Sequence, residues 1–161
     1  MTAVNRVTGR VIPIDAEGRA LLMHGFNPTR PGEWYWFTIG GGAEAGETVR
    51  QAAARELREE VGIEVDQSDL GECYHSSVIR FEWSGLDIVQ RQDCYALSLP
   101  EGAEPDLSGL DGLEAATVDA AAWITVEQLR SGECPPARPD IIDIVLGAQS
   151  VLGQAPSTPA G

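Results

Sequence analysis

Residues 40 to 65 read GGGAEAGETVRQAAARELREEVGIEV. Three glycines lead into a run of Ala, Arg, Glu and Leu without a helix breaker, so the spacing predicts a helix over 48–61. Thr48 with Gln51 three residues later makes a capping box at its start. Gly62 stands where a left-handed residue would end it. On a helical wheel with Glu56 at zero, Glu60 lies at ~40° and Glu59 at ~-60°. The apolar stripe of Ala53, Leu57 and Val61 follows at ~60° to ~140°, with Gln51 and Arg58 opposite. Like charges at this spacing repel on an isolated helix. A solvated acidic face would also lie opposite the core stripe, whereas this arc borders it.

Clustered carboxylate oxygens suit a hard divalent cation, Mg²⁺ or Mn²⁺. Arg55 beside them is able to hold one carboxylate bidentately. The glycines let the backbone turn tightly and approach a ligand closely, and a carbonyl from that loop would add a further ligand. Taken alone, an E-x-x-E-E triplet is common on acidic helices, and a glycine loop alone is weak evidence.

Around this helix the pattern alternates. Strands are read at 4–14, 20–23 and 34–39, the last one aromatic and β-branched (WYWFTI). A strand pair over 72–84 and 87–99 turns near Ser84-Gly85, and a polar, glycine-rich loop covers 100–114. A strand around Trp123, a short helix VEQLRSG and a last helix over 139–152 with Pro139 in its first turn complete the chain. The order predicts an α/β fold, a mixed sheet covered by helices, in one domain over residues 1–153. The composition of 154–161 is that of a mobile tail.

Net charge is −14, and all 11 basic residues are arginine. This balance argues against binding nucleic-acid backbones, which needs a basic footprint. A phosphate-bearing ligand would need a cation between it and the chain. Cys73, Cys94 and Cys134 show no metal-ligand spacing and read as reduced, mostly buried thiols. No apolar run reaches membrane-spanning length, and the N-terminus lacks a signal-peptide pattern, so no membrane partner and a cytoplasmic location are expected. Homodimerisation is left open.

The spacing as a whole is more specific than its parts. Gly41, Glu47 and the run Arg55-Glu56-Leu57-Arg58-Glu59-Glu60-Val61-Gly62-Ile63 fit G-x5-E-x7-R-E-U-x-E-E-x-G-U at every fixed position, U being a bulky aliphatic. This resembles the signature of the Nudix hydrolases. The resemblance implies an α/β/α sandwich around a mixed sheet. It also implies Mg²⁺-dependent hydrolysis of a diphosphate linkage, in a nucleoside diphosphate joined to another group, by metal-activated water. On this chain, Glu56, Glu59 and Glu60 would bind metal together with the carbonyl of Gly40. Glu56 or Glu60 would take the proton from water, and Arg55 and Glu47 would orient the cluster.

A further acid, common in the family, is best matched by Glu114, with Asp93 and Glu101 as competitors. Ile39 stands where a proline often precedes the glycines, Ala122 where an arginine often precedes the tryptophan, and His24 where an arginine often follows the second strand. Val78, Ile79 and Arg80 carry neither the ADP-ribose nor the dinucleoside-polyphosphate subgroup marker, so the small nucleotide-derivative substrate is not named. Trp34, Tyr35, Trp36 and Phe37 alternate faces on their strand. Trp34 and Trp36, with His24, are candidate substrate contacts, against a plain packing role. Arg80 and Arg91 are candidates either to meet phosphate or to face solvent, and solvent is the favoured reading. The rival reading is a nucleotide-binding or regulatory domain of the same fold with little turnover. An intact set of carboxylates argues against it.

Overall fold

The computed structural model describes residues 3–153. The expected tail over 154–161 lies outside them. Four strands come first: β1 (Val4–Ile14), β2 (Ala20–Phe26), β3 (Trp34–Phe37) and β4 (Ile39–Gly42). Helix α1 (Val49–Val61) is followed by β5 (His75–Trp83) and β6 (Leu86–Ser98). Helix α2 (Gly112–Thr117), β7 (Val118–Ile124), α3 (Val126–Ser131) and α4 (Asp140–Val151) complete the chain.

The strands form one seven-stranded mixed sheet with the path β3-β2-β1-β6-β5, on which β4 pairs with β1 and β7 with β2. Strand β1 organises it. One edge of β1 runs parallel to β6 over its whole length, from Val4↔Ile88 to Ile14↔Ser98. Its other edge is shared, with β4 beside Thr8–Val11 and β2 beside Ile14. The sheet therefore splits, and the opening between its arms is where a ligand can enter.

Alternation along the strands divides the core. Ile12, Ile14, Ala20 and Leu22 face α3 and α4, packing on Leu129, Ile141, Ile144, Val145 and Ala148. Val11, Leu21 and Met23 face the other way, onto Ala53, Leu57 and Val61 of α1. Helices thus cover both faces, the expected α/β/α sandwich. Burying each such aliphatic side chain contributes about 1.5–3 kcal/mol relative to exposure.

Local signals explain most boundaries. Thr48 accepts from the Gln51 amide and Gln51 returns the bond, closing the box at the start of α1. Gly62 ends that helix at φ 73°. Ser84 and Gly85, both at positive φ, form the two-residue turn joining β5 to β6, a geometry that suits the strand twist.

Three expectations need correction. The run WYWFTI is two strands rather than one, parted at Thr38, and the triple glycine is strand β4 rather than a loop. Its pairing with β1 supplies the backbone partners that propensity does not. Likewise, the loop read over 100–114 contains the start of α2, so Glu114 sits on a short helix. Ile39 is fully buried against the α1 side of the core, and Ala122 packs against the α4 side. Cys94 and Cys134 are buried and Cys73 is exposed, all three free thiols.

Candidate active site

Glycine brings the acidic helix onto the sheet. A Cβ at Gly9 would run into the carbonyl of Val49, so the first turn of α1 rests directly on β1. A Cβ at Gly41 would run into the carboxylate of Glu56, and one at Gly40 into the carbonyl of Gly9. These glycines let carboxylates of α1 reach past β4 at the split in the sheet.

Arg55 fixes the set. Its Nε donates to Glu47 Oε2 at 2.8 Å and its second terminal nitrogen to Glu47 Oε1 at 3.0 Å, a two-pronged pair. The same nitrogen reaches the Gly42 carbonyl at 2.9 Å. The other terminal nitrogen bonds Glu56 Oε1 at 2.9 Å and Glu59 Oε2 at 3.0 Å. A lysine could not serve these directions at once. The hydrogen bond from Arg55, above its burial and charge effects, holds Glu47 below the usual carboxylate range.

Glu56 and Glu60 are buried. Burial pushes both carboxyls up, outweighing Arg55 beside Glu56 and Arg10 beside Glu60. The Gly40 amide donates to Glu60 Oε1 at 2.8 Å. Glu114, exposed on α2, is raised too, first by partial burial and then by Glu56. Glu56, Glu60 and Glu114 each offer an oxygen, and all three lie within 4.8 Å of one another.

The set fits a hard cation by its own chemistry. Neither Oε2 of Glu56 nor Oε2 of Glu60 has a protein partner, and Glu114 makes no hydrogen bond among the described residues. Yet none of these oxygens is sealed from solvent. Crowded, partly dry carboxylates with unshared oxygens on a common cleft are what a divalent ion neutralises. Glu59 stands apart, its side chain 46% exposed and bound to Arg55.

The cluster closes one end of a cleft of about 440 Å³. Gly40 lines it, as do Tyr35 and Phe37. Among the expected contacts, Trp34, Trp36 and His24 do not line it. They sit on the opposite strand face, where His24 lies 5.2 Å from the Trp34 ring and 4.8 Å from that of Trp36. The His24 imidazole meets Asp119 at 2.6 Å. The competitors for the extra acid lie elsewhere. Asp93 accepts from Ser76 at 2.7 Å and pairs with Arg91, while Glu101 is exposed in the turn after β6.

Sequence reasoning missed the cationic lining. Arg6, Arg10, Arg30, Arg80 and Arg138 all border the cleft of a strongly acidic protein. Arg80 belongs to this lining as well as being exposed. Arg10 bonds Thr38 through Nε and a terminal nitrogen, both at 3.0 Å, whereas Arg6 and Arg80 make no ion pair or hydrogen bond among the described residues. Their concentration in one place was the missing signal, and linear sequence does not display it.

A family model described as NUDIX domain matches residues 4–145. Among solved structures, the MutT protein from Methanosarcina mazei Go1 superposes with TM-score 0.66 at 17% identity, covering 96% of this chain and 99% of that one. The E. coli dihydroneopterin triphosphate pyrophosphohydrolase does so with TM-score 0.64 at 19% identity, covering 88% and 94%. The E. coli ORF135 protein reaches 24% identity with TM-score 0.60, covering 99% and 96%. No protein of curated function matches the chain significantly. The match over nearly the whole described chain decides the family: the chain belongs to the NUDIX family and is a hydrolase acting on pyrophosphate bonds.

Proposed function

We propose that the chain hydrolyses the diphosphate linkage of a small nucleoside-diphosphate derivative with Mg²⁺ or Mn²⁺ as cofactor. The observation that carries this reading is the approach of Glu56, Glu60 and Glu114 to within 4.8 Å at the end of an arginine-lined cleft. Glu56, Glu60 and Glu114 would hold the cation, with Glu59 and the Gly40 carbonyl as further ligands. A divalent cation supplies neutralisation of diphosphate charge and acidification of water.

The chain's own groups do the rest. Arg55 and Glu47 form a rigid brace that sets the direction of the Glu56 carboxylate. The Gly40 amide holds one oxygen of Glu60 and leaves the other facing the cleft. Glu56 or Glu60 takes the proton from the attacking water. Arg6 and Arg80, free of internal ion pairs, meet phosphate oxygens that the protein's net charge would otherwise repel.

The test is hydrolysis of a panel of nucleoside-diphosphate derivatives with millimolar Mg²⁺, read as release of phosphate or nucleoside monophosphate. Cleavage of at least one member is expected. Glu60→Gln should lower turnover by roughly 10²–10⁴-fold while the chain stays folded. Wild-type-like turnover in that variant would remove the cluster from the mechanism. No cleavage of any member, together with nucleotide binding, would leave the nucleotide-binding reading.

A further inference from the structure

Two buried amides line the same cleft as the carboxylates. Gln90 and Gln92 stand two residues apart on β6 and share its cleft face. They are 5% and 2% exposed. Register places Gln90 between Arg6 of β1 and Ile79 of β5, and Gln92 between Thr8 and Ser77. The Gln90 amide donates to Gln92 Oε1 at 3.1 Å.

That bond leaves the pair half used. Gln90 Oε1 and Gln92 Nε2 have no protein partner among the described residues, yet neither is among the buried atoms cut off from solvent. The side chains are therefore packed in place, and their free carbonyl and free amide open on the cleft. Burying two glutamines beneath a ligand site is unfavourable unless something completes their hydrogen bonds.

We propose that Gln90 and Gln92 form the nucleobase-recognition element of this site, an acceptor beside a donor that pairs with the hydrogen-bonding edge of a base. The inference rests on the hydrolase reading above and specifies its substrate end. Three observations converge on a base. A base edge presents neighbouring donors and acceptors in one plane, which matches two adjacent amides. Apolar and aromatic side chains stand beside the pair, with Ile79 next to Gln90 and then Phe81 and Trp83, their rings edge to face, on the same face of β5. A base stacks on the face of such a ring. Arg6, lacking an internal partner, borders Gln90 on the side of β1 that leads to Arg10 and Glu60. Arg6 and Arg10 are four residues apart, about 13 Å along the strand. A ribose and its phosphates span that kind of interval.

The pair has a built-in limit. Turning both amides over still presents a donor beside an acceptor. It therefore accepts any base with adjacent donor and acceptor and rejects one with no donor on that edge, such as unsubstituted purine.

The experiment titrates the metal-free protein with adenosine, guanosine, cytidine and uridine, and with unsubstituted purine riboside, following binding by calorimetry. At least one natural nucleoside should bind roughly ten-fold or more tightly than purine riboside, since an unmade bond strands a buried amide. The gap should close in Gln90→Met and in Gln92→Met, with melting temperature recorded for each. Wild type binding every natural nucleoside no better than purine riboside overturns the assignment without recourse to any variant. So does a folded double Gln→Met variant that keeps the gap. Diphosphate cleavage indifferent to the base would defeat this inference and leave the hydrolase reading standing. Base-dependent nucleoside binding with no cleavage of any diphosphate would do the reverse.

Discussion

Arg55 is the residue whose loss the structure makes most legible. Replacing it with Met keeps the aliphatic stem and removes five hydrogen bonds, to Glu47 twice and to Glu56, Glu59 and Gly42 once each. The bond to Glu59 counts for little, because that side chain is 46% exposed and such pairs contribute about 0–1 kcal/mol. The Glu47 and Glu56 contacts are different. Their side chains are 16% and 12% exposed. Breaking a pair this dry strands a carboxylate and costs about 3–5 kcal/mol. For a chain this long the melting temperature should fall by about 6 to 20 °C. Glu47→Gln keeps the shape of its partner and removes the charge. The double-mutant cycle Arg55→Met with Glu47→Gln isolates the forked pair. We expect a coupling of about 2 kcal/mol from urea denaturation of metal-free protein. Arg55→Lys should recover less than half, since a point charge cannot serve the fork. A coupling below about 0.5 kcal/mol would show that the brace is incidental to stability.

The remaining expectations address the cluster. Mg²⁺ or Mn²⁺ at millimolar concentration should raise the melting temperature of wild type more than that of Glu60→Gln; equal shifts would place the ion elsewhere. Gly41→Ala drives a methyl group into the Glu56 carboxylate. It should therefore lower turnover more than stability, read as kcat against melting temperature. In metal-free protein the carboxyls of Glu56 and Glu60 are raised from 4.5, so the native state holds protons that the unfolded chain releases. Their contribution is present in full below about pH 4.5 and is lost as pH rises through the raised folded values. Glu47 is depressed from 4.5, so its contribution is present above that value and is lost on further acidification. Thermal melts of metal-free protein should thus decline toward neutral pH, and the cation should abolish the decline. A metal-free profile flat between pH 5 and 8 would contradict the burial of unneutralised carboxylates.

What sequence disclosed and what it withheld divide along one physical line. The cap at Thr48, the stop at Gly62 and the wheel positions of Glu56 and Glu60 are local matters, fixed by residues within a turn or two of one another. They were readable, and so was the stabilising hand of Arg55. Glu114 was half readable. Sequence singled it out as a candidate and the structure brings it to Glu56 and Glu60, but α2 is six residues long, begins at a glycine and has no side-chain cap at Asp111, so no helical signal announced its place. The aromatic strand shows the limit most sharply. Alternation split Trp34 and Trp36 from Tyr35 and Phe37, but period-2 spacing does not say which pair meets the ligand. That was decided far away in the chain. Trp36 is paired on its backbone with Pro135 and Ala137, so the segment before α4 extends the sheet beyond β3, and Ala137 and Arg138 border the cleft together with Tyr35 and Phe37. Arg6, Arg80, Gln90 and Gln92 became neighbours in the same way, through the parallel register of β1 on β6 and the hairpin of β5 on β6. Two of the three clustered carboxylates are written in one helix and can be read there. The proposed substrate end is assembled across three strands, so its identity enters the sequence only as a register, and a register becomes visible once the sheet has been built.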